Sequence, residues 1–236
     1  MADAIVTLRG VTKQYIRGKN EVLVLNGVDL EIETGAFEAI MGPSGSGKTT
    51  LLNLIAGLDR PTSGEVTVVG KQLSGMGEGA LADFRAGNIG FVFQSFNLIP
   101  VLTAAQNVEL PLALTPLSSA EKRKHVETAL GIVGLGDRMG HLPRQLSGGQ
   151  EQRVAIARAI VTDPKIIVAD EPTGDLDRES ADEIMKLLVK LSSEFNKTIL
   201  MVTHDPIVAE QAHRVRRVDK GKLLADAVPK PKPNEA

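Results

Sequence analysis

Gly42-Pro43-Ser44-Gly45-Ser46-Gly47-Lys48-Thr49 decides how the rest of the chain is read. It follows Phe37–Met41, which reads as a short strand. It opens Lys48–Gly57, where Leu51, Leu52, Leu54 and Ile55 fall at helical spacing before Gly57 ends the pattern. Strand, glycine-rich loop and helix form the context in which G-x-x-x-x-G-K-[ST] cradles a polyphosphate. Glycines let the backbone wrap the anion without Cβ clashes. The loop N–H groups and the helix N-terminus then face it. Lys48 can reach the β and γ phosphates, and the Thr49 hydroxyl can ligate Mg²⁺. Gly42, Ser44, Gly45, Gly47, Lys48, Thr49 and Thr50 are therefore the candidate phosphate contacts. A glycine-rich turn with a chance lysine is the plain alternative, and the flanking strand and helix disfavour it.

Outward from this loop, Ile5–Leu8 and Val22–Leu25 read as strands around the polar turn Arg17-Gly18-Lys19-Asn20. Val28–Ile32 alternates apolar and acidic residues, the period of a half-buried strand. Pro61–Gly64 is a turn before the strand Glu65–Val69. From about Gln94 to Asp163 helix signals outnumber strand signals. Thr103-x-x-Gln106 and Ser118-x-x-Glu121 are capping boxes; Val126, Ala129, Leu130 and Val133 form a stripe closed by Gly134; a further helix runs from Ser147 to about Val161. Strands at Ile166–Ala169, Thr198–Val202 and Arg214–Asp219 then alternate with helices at Glu179–Phe195 and Pro206–Ala212, and a turn at Lys220-Gly221 leads to Leu223. The alternation implies an α/β fold, a largely parallel sheet with helices on its faces. The helix-rich middle, about 95–163, reads as an inserted subdomain. Residues 1–227 form one unit on this reading, and the Pro/Lys-rich segment 228–236 is expected to be disordered.

Composition narrows the possibilities. The chain has 236 residues, ordinary globular hydrophobicity, 27 Lys plus Arg against 29 Asp plus Glu, and no cysteine. Disulfides, iron–sulfur clusters and thiolate zinc sites are excluded. The four histidines are scattered without metal-ligand spacing. Near-neutral charge disfavours nucleic acid as a partner. Met-Ala-Asp-Ala does not open a secretory signal, and no stretch approaches the ~18 apolar residues of a membrane span. A cytosolic protein is expected, free to dock on a membrane protein. Arg214, Arg216 and Arg217 read as a solvated strand edge.

Two further motifs carry chemistry. Ile166–Ala169 ends in Asp170-Glu171, adjacent carboxylates at the edge of a parallel sheet where such folds bind ligands. Asp170 would hold Mg²⁺, and Glu171 would orient and deprotonate an attacking water. Taken alone, the pair reads equally well as a solvated acidic turn before Pro172. In Leu146-Ser147-Gly148-Gly149-Gln150, Ser147 and Gln150 form another capping box, so the segment could simply start a helix. Two glycines in the first turn, however, cost about 1 kcal/mol each relative to alanine. They make sense where a large anion must approach the N–H groups closely.

In this order and spacing the three motifs resemble the ATP-binding subunit of an ABC transporter, from about Ile5 to Ala225. The resemblance implies a P-loop NTPase core of RecA-like type, an N-terminal antiparallel β subdomain and the inserted helical subdomain, with ATP and Mg²⁺ as ligands. It implies that Tyr15, the only tyrosine, stacks on adenine. Gln94, after Phe91-Val92-Phe93, matches the glutamine that senses Mg²⁺ and the γ-phosphate. Asp177, in Gly174-Asp175-Leu176-Asp177, matches an aspartate that crosses between subunits, although an aspartate there equally reads as a helix N-cap. His204, in Thr203-His204-Asp205, matches a switch histidine on the γ-phosphate. Glu151 and Asp175 depart from the family pattern, glutamine and asparagine or alanine being usual there.

The resemblance further implies a head-to-tail homodimer. The phosphate loop of one copy and Ser147, Gly148, Gly149 and Gln150 of the other would enclose each of two Mg-ATP molecules, with transmembrane permease subunits as partners at the cytoplasmic face of the cell membrane. Phe84, Phe91, Phe93 and Phe96 read mostly as core of the helical subdomain, partly as a groove for the permease. The stretches Phe91–Pro100, Thr103–Pro111, Asp170–Asp177 and Val202–Pro206 look most like the lipoprotein-releasing and macrolide-exporting branch, with heme and peptide exporters close by. The alternative is a regulatory ATPase of cell-division type, signalling through a membrane partner to cell-wall hydrolases. A soluble relative acting on DNA or ribosomes is disfavoured: there is one cassette, and no sustained heptad run.

Overall fold

The computed structural model describes residues 3–18 and 20–224. The expected disordered segment, 228–236, lies outside them. Strands β1 (Ala4–Arg17), β2 (Asn20–Glu33) and β3 (Phe37–Met41) lead into helix α1 (Lys48–Ile55). Strands β4 (Ser63–Val68) and β5 (Lys71–Gln72), helix α2 (Glu78–Asn88) and strand β6 (Ile89–Phe93) follow. Helices α3 (Ala104–Glu109), α4 (Ser119–Ile132) and α5 (Gly148–Ile160) make up the helical middle. The chain then alternates through β7 (Ile166–Asp170), α6 (Arg178–Ser193), β8 (Thr198–Val202), α7 (Pro206–Ala209), β9 (Arg214–Asp219) and β10 (Lys222–Leu223).

Two sheets result. One is antiparallel, in the order β2-β1-β4-β5; the other has the order β10-β9-β3-β8-β7-β6, parallel except for β10. The N-terminal pair differs from the sequence expectation. The strands expected at Val22–Leu25 and Val28–Ile32 are one continuous strand, and the short strand expected at Ile5–Leu8 runs on to Arg17. Register shifts in the β1–β2 ladder absorb Gly10 and Gly27, both in the left-handed region, so glycines that look like strand ends are bulges inside the strands. Helix α2 was not expected at all. It carries Gly79 and Gly87 and buries only Leu81 and Phe84.

Strands β7 and β8 are buried on both faces, which is why Ile166–Ala169 and Ile199–Val202 read as unbroken apolar runs. Alternate residues feed two cores. Phe37, Ala39, Ile167, Ala169, Ile199 and Met201 face α3 to α6; Ile40, Ile166, Val168, Leu200 and Val202 face α1, α2 and the antiparallel sheet. Phe84 belongs to the second core, not to the helical subdomain as expected. All three capping boxes form reciprocally, at Thr103/Gln106, Ser118/Glu121 and Ser147/Gln150.

Arg216 also departs from expectation. Strand β9 lies between β3 and β10 and is no edge. Arg216 is 5% exposed; its Nε donates to Glu38 Oε2 at 2.5 Å, and its Nη2 donates to the Glu31 carbonyl at 2.7 Å, tying the parallel sheet to β2. Arg214 stands 3.8 Å from the same carboxylate, while Arg217 is exposed. Removing one partner of a buried pair leaves the other charge poorly compensated. Glu38→Ala is therefore expected to lower unfolding free energy by about 3–5 kcal/mol in denaturant titration. A loss below about 1 kcal/mol would show that Arg216 does not depend on Glu38.

Candidate active site

The end of β3 carries the phosphate loop. Gly42 and Gly47 are required there by the protein's own packing: a Cβ on Gly42 would lie 2.1 Å from the Val218 carbonyl oxygen, and one on Gly47, at φ 105°, would lie 2.8 Å from the Val24 carbonyl oxygen. The loop is thus clamped under β9 and β2, while Ser44, Gly45 and Thr49 are exposed. Among the described residues, no hydrogen bond takes up the N–H groups of Gly45, Gly47, Lys48 or Thr49. Four donors at a helix N-terminus without partners fit a polyphosphate. Lys48 is buried, and its ammonium donates to the Gly42 and Pro43 carbonyls at 2.8 and 2.9 Å, so it is held inside the loop that its charge would serve.

Parallel pairing of β7 with β8 and β6 brings the carboxylates to the same edge: Asp170 aligns with Val202 and with Phe93, the residue before Gln94. The Thr49 hydroxyl donates to Asp170 Oδ1 at 3.4 Å. Burial pushes the Asp170 carboxyl above its ordinary range; Thr49 opposes that shift, the neighbouring Glu171 adds to it, and Lys48 opposes it. Hard oxygens at Thr49 and Asp170, beside the anion cradle, fit Mg²⁺. Among the described residues no group of three or more His, Asp or Glu forms a metal site, so such a cation would take its remaining ligands from phosphate and water.

Glu171 stands in the left-handed region at φ 48°, uncommon for a side-chain-bearing residue. Its N–H donates to the Val202 carbonyl at 2.9 Å, and its carbonyl accepts from Gly174 N–H at 3.0 Å. This bend turns the carboxylate to His204, whose Nδ1 lies 2.8 Å from Glu171 Oε2. The two residues named from separate motifs therefore touch.

Tyr15 lies beside the phosphate loop. Its hydroxyl donates to Asp59 Oδ2 at 2.6 Å and meets the Thr50 hydroxyl, while Lys13 Nζ sits 4.7 Å from the ring centroid. Burial and the Asp59 bond raise the Tyr15 pKa. Burial opposes ionisation of Asp59, but hydrogen bonds from Lys13 and Tyr15 outweigh it and hold that carboxyl below its ordinary range.

Among the described residues nothing joins the Ser147–Gln150 turn to the phosphate loop. The atoms nearest a Cβ on Gly148 or Gly149 belong to Leu176, Phe96 and Ser180. The Ser147 hydroxyl accepts from Gln150 N–H and keeps its own hydrogen to donate. The two glycines have different causes. Gly148 is exposed, as an anion contact requires, whereas Gly149 is buried, and a Cβ there would meet Ser180 Oγ at 2.9 Å. Asp177 caps α6, accepting from Ser180 N–H and hydroxyl at 2.9 Å each; those bonds lower its pKa.

Sequence reasoning missed the residues that fasten these parts together. Gln152, fully buried on α5, donates through Nε2 to the carbonyls of Phe93 at 3.1 Å and Pro172 at 2.5 Å. Arg158, also on α5, donates to the Phe96 and Asn97 carbonyls at 2.7 and 2.5 Å, holding a turn in which both residues are left-handed; burial lowers its pKa. A glutamine at a core position of a helix was the available signal for Gln152. Arg158 also lines a cleft of about 490 Å³ with the stacked rings of Phe91 and Phe93, Ile89, Pro111 and Leu114.

Comparison with known proteins shows the family and the fold. The ABC transporter family model matches residues 25–174. The chain is 50% identical over 222 residues to the uncharacterized ABC transporter ATP-binding protein YvrO of Bacillus subtilis, covering 94% of this chain and 96% of that one. It is 46% identical to the macrolide export ATP-binding/permease protein MacB 1/2 of Paracoccus denitrificans over 94% of this chain, which spans only 33% of that larger protein. Among solved structures, the ATP-binding cassette MJ0796, dimeric in a post-hydrolysis state with ADP and Pi, superposes with a TM-score of 0.85 at 46% identity, covering 94% of this chain and 97% of that one. Phosphate loop, strand-end carboxylates and Ser-Gly-Gly-Gln turn thus stand on a shared fold, and the chain belongs to the ABC transporter family as an ATP-binding cassette with ATPase activity.

Proposed function

We propose that two copies of this chain close on two Mg-ATP molecules, each bound between the phosphate loop of one copy and the Ser147–Gln150 turn of the other, and that the resulting motion drives a membrane permease of the export type. One observation carries this reading: each chain carries two half-sites, the unpaired N–H groups of Gly45, Gly47, Lys48 and Thr49 and a helix N-terminus at Ser147-Gly148, that nothing among the described residues joins. The dimeric MJ0796 cassette and the ATPase–permease fusion named for MacB support it by likeness.

In this reading Lys48 and the loop N–H groups hold the β and γ phosphates, Ser147 and Gly148 of the second copy approach the γ-phosphate, and Tyr15 meets the adenine. Asp177 reaches across the dimer while still capping its own helix. Thr49, Asp170 through water, and Gln94 would hold Mg²⁺, which when bound neutralises charge on the phosphates. Glu171 takes the proton as water attacks the γ-phosphorus, the new P–O bond forming as the bond to the ADP oxygen breaks. His204 holds the Glu171 carboxylate in place and contacts the γ-phosphate.

The permease would sit in the cleft beside Phe91 and Phe93, since the backbone lining it leads directly to Gln94. Leu114, which lines that cleft, is 84% exposed, and Ile99 (41%) and Val101 (80%) are exposed apolar residues that follow Gln94 in the chain. Among the described residues no helix is long and apolar enough to cross a membrane, so the attachment would be to a membrane protein.

The test is affinity purification of Glu171→Gln with ATP from detergent-solubilised native cells. Recovery of a permease with a large extracytoplasmic domain supports export. Recovery of a cell-wall hydrolase regulator shifts the assignment to signalling. Recovery of ribosomal or DNA-bound proteins alone overturns the membrane role. Leu114→Asp should abolish co-purification of the permease without lowering the melting temperature, because it places a charge on an exposed apolar contact.

A further inference from the structure

Gln94 does not project freely from the end of β6. Its side chain lies against the backbone of Gly174, where a Cβ would stand 3.0 Å from Gln94 Cδ and Nε2 and 3.2 Å from Cγ. In that seat Gln94 Nε2 donates to Asp175 Oδ1 at 2.7 Å. An amide nitrogen can only donate and an ionised carboxylate can only accept, so the bond fixes which end of the amide faces Asp175. Oε1 is the end left over. Behind this contact the buried Gln152 amide ties the Phe93 and Pro172 carbonyls together. The backbone carrying Gln94 and the backbone carrying Glu171 and Asp175 are therefore held in one relative position.

We propose that Asp175 is a positioning residue: it fixes the amide orientation of Gln94, keeping Nε2 engaged and Oε1 available as an oxygen ligand for Mg²⁺. The inference rests on Gln94 being a Mg²⁺ ligand, as proposed above. A hard divalent cation takes oxygen and rejects an N–H donor. An unrestrained glutamine would divide its time between two amide orientations and several rotamers. The Gly174 seat and the Asp175 bond remove that freedom before the metal arrives, and preorganisation of one long side chain corresponds to about three- to tenfold in affinity.

The experiment measures the affinity of fluorescent mant-ATP for the Glu171→Gln chain with Mg²⁺ and with EDTA. The ratio of the two is the metal's contribution, read without turnover. Asp175→Ala is expected to reduce that ratio about three- to tenfold with the EDTA affinity unchanged. Asp175→Asn, whose side-chain carbonyl still accepts from Nε2, should keep most of it. Gln94→Ala should lose it as well. If Gln94→Ala loses the ratio and Asp175→Ala does not, the positioning role is overturned while the ligand assignment stands. If neither variant changes it, the ligand assignment fails and takes the inference with it. A larger ratio in Asp175→Ala would mean that Asp175 withholds Gln94 from the metal, the opposite role. An equal loss in Asp175→Ala and Asp175→Asn would make charge, not amide orientation, the cause; each of these two results overturns the proposal.

Discussion

Glu171→Gln is expected to bind ATP with undiminished affinity, hydrolyse it about 10²–10⁴-fold more slowly, and accumulate as an ATP-dependent dimer in size-exclusion chromatography. The substitution is nearly isosteric, so the bend at φ 48° and its two backbone hydrogen bonds have no reason to change. A glutamine oxygen can still accept from His204 Nδ1, now 2.8 Å from Glu171 Oε2. What is lost is the ability to take a proton from water. Neutralising residue 171 also removes one of the influences that push the Asp170 carboxyl up, so the metal-binding edge becomes no less anionic at Asp170. Binding and turnover should therefore separate. Turnover at the wild-type rate would show that Glu171 is not the base.

The chemistry of this cassette was more legible than its joinery. Phe37–Met41, the loop and Lys48–Ile55 could be read because strand, phosphate loop and helix follow one another without interruption in the sequence. The Asp170-Glu171 pair and the Ser147–Gln150 turn were equally local. The length of β1 and β2 was hidden because Gly10 and Gly27 signal strand ends unless the partner strand is known to continue past them. Helix α2 was hidden by its two glycines and its two buried apolar side chains, too few to define a stripe. Arg216 looked like surface because its carboxylate partner lies 178 residues earlier and reaches it only once β3 and β9 pair.

Inside the site the same rule holds. Glu171 and His204 come from motifs 33 positions apart, and only the β7–β8 pairing makes them touch. The bonds from Gln152, Arg158 and Asp175 all join the ends of different elements to one another. No periodicity reports such contacts. Asp175 was visible only as a departure from the family pattern, and its partner became evident only when Gln94 was found seated on Gly174. The helix-cap reading of Asp177 and the packing reason for Gly149 show the converse: residues with a plain structural task can sit within a functional motif.

The composite arrangement of the site gives the second large effect. Lys48→Ala removes the buried ammonium from the phosphate loop and should abolish turnover. Gly148→Asp should also abolish it, for a different reason. A carboxylate in the first turn of α5 complements the helix dipole, so the fold is not weakened. The same charge stands on the exposed face where a phosphate must approach, and repels it. Each variant alone is dead in both sites of its dimer. When the two are mixed, a heterodimer places both lesions in one site and leaves the other site with an intact Lys48 and an intact Gly148. Random pairing makes half of the dimers mixed, each with one sound site, so about a quarter of wild-type turnover should return if the sites act independently. Were phosphate loop and Ser147–Gln150 turn of the same chain to form the site, every site would keep one lesion and mixing would restore nothing. The measurement is steady-state phosphate release from each variant and from the equimolar mixture, with melting temperatures confirming that both chains are folded. Recovery only on mixing requires the second copy to complete the site. An inactive mixture, with both variants folded and exchanging partners, overturns the expectation of two composite sites that turn over independently.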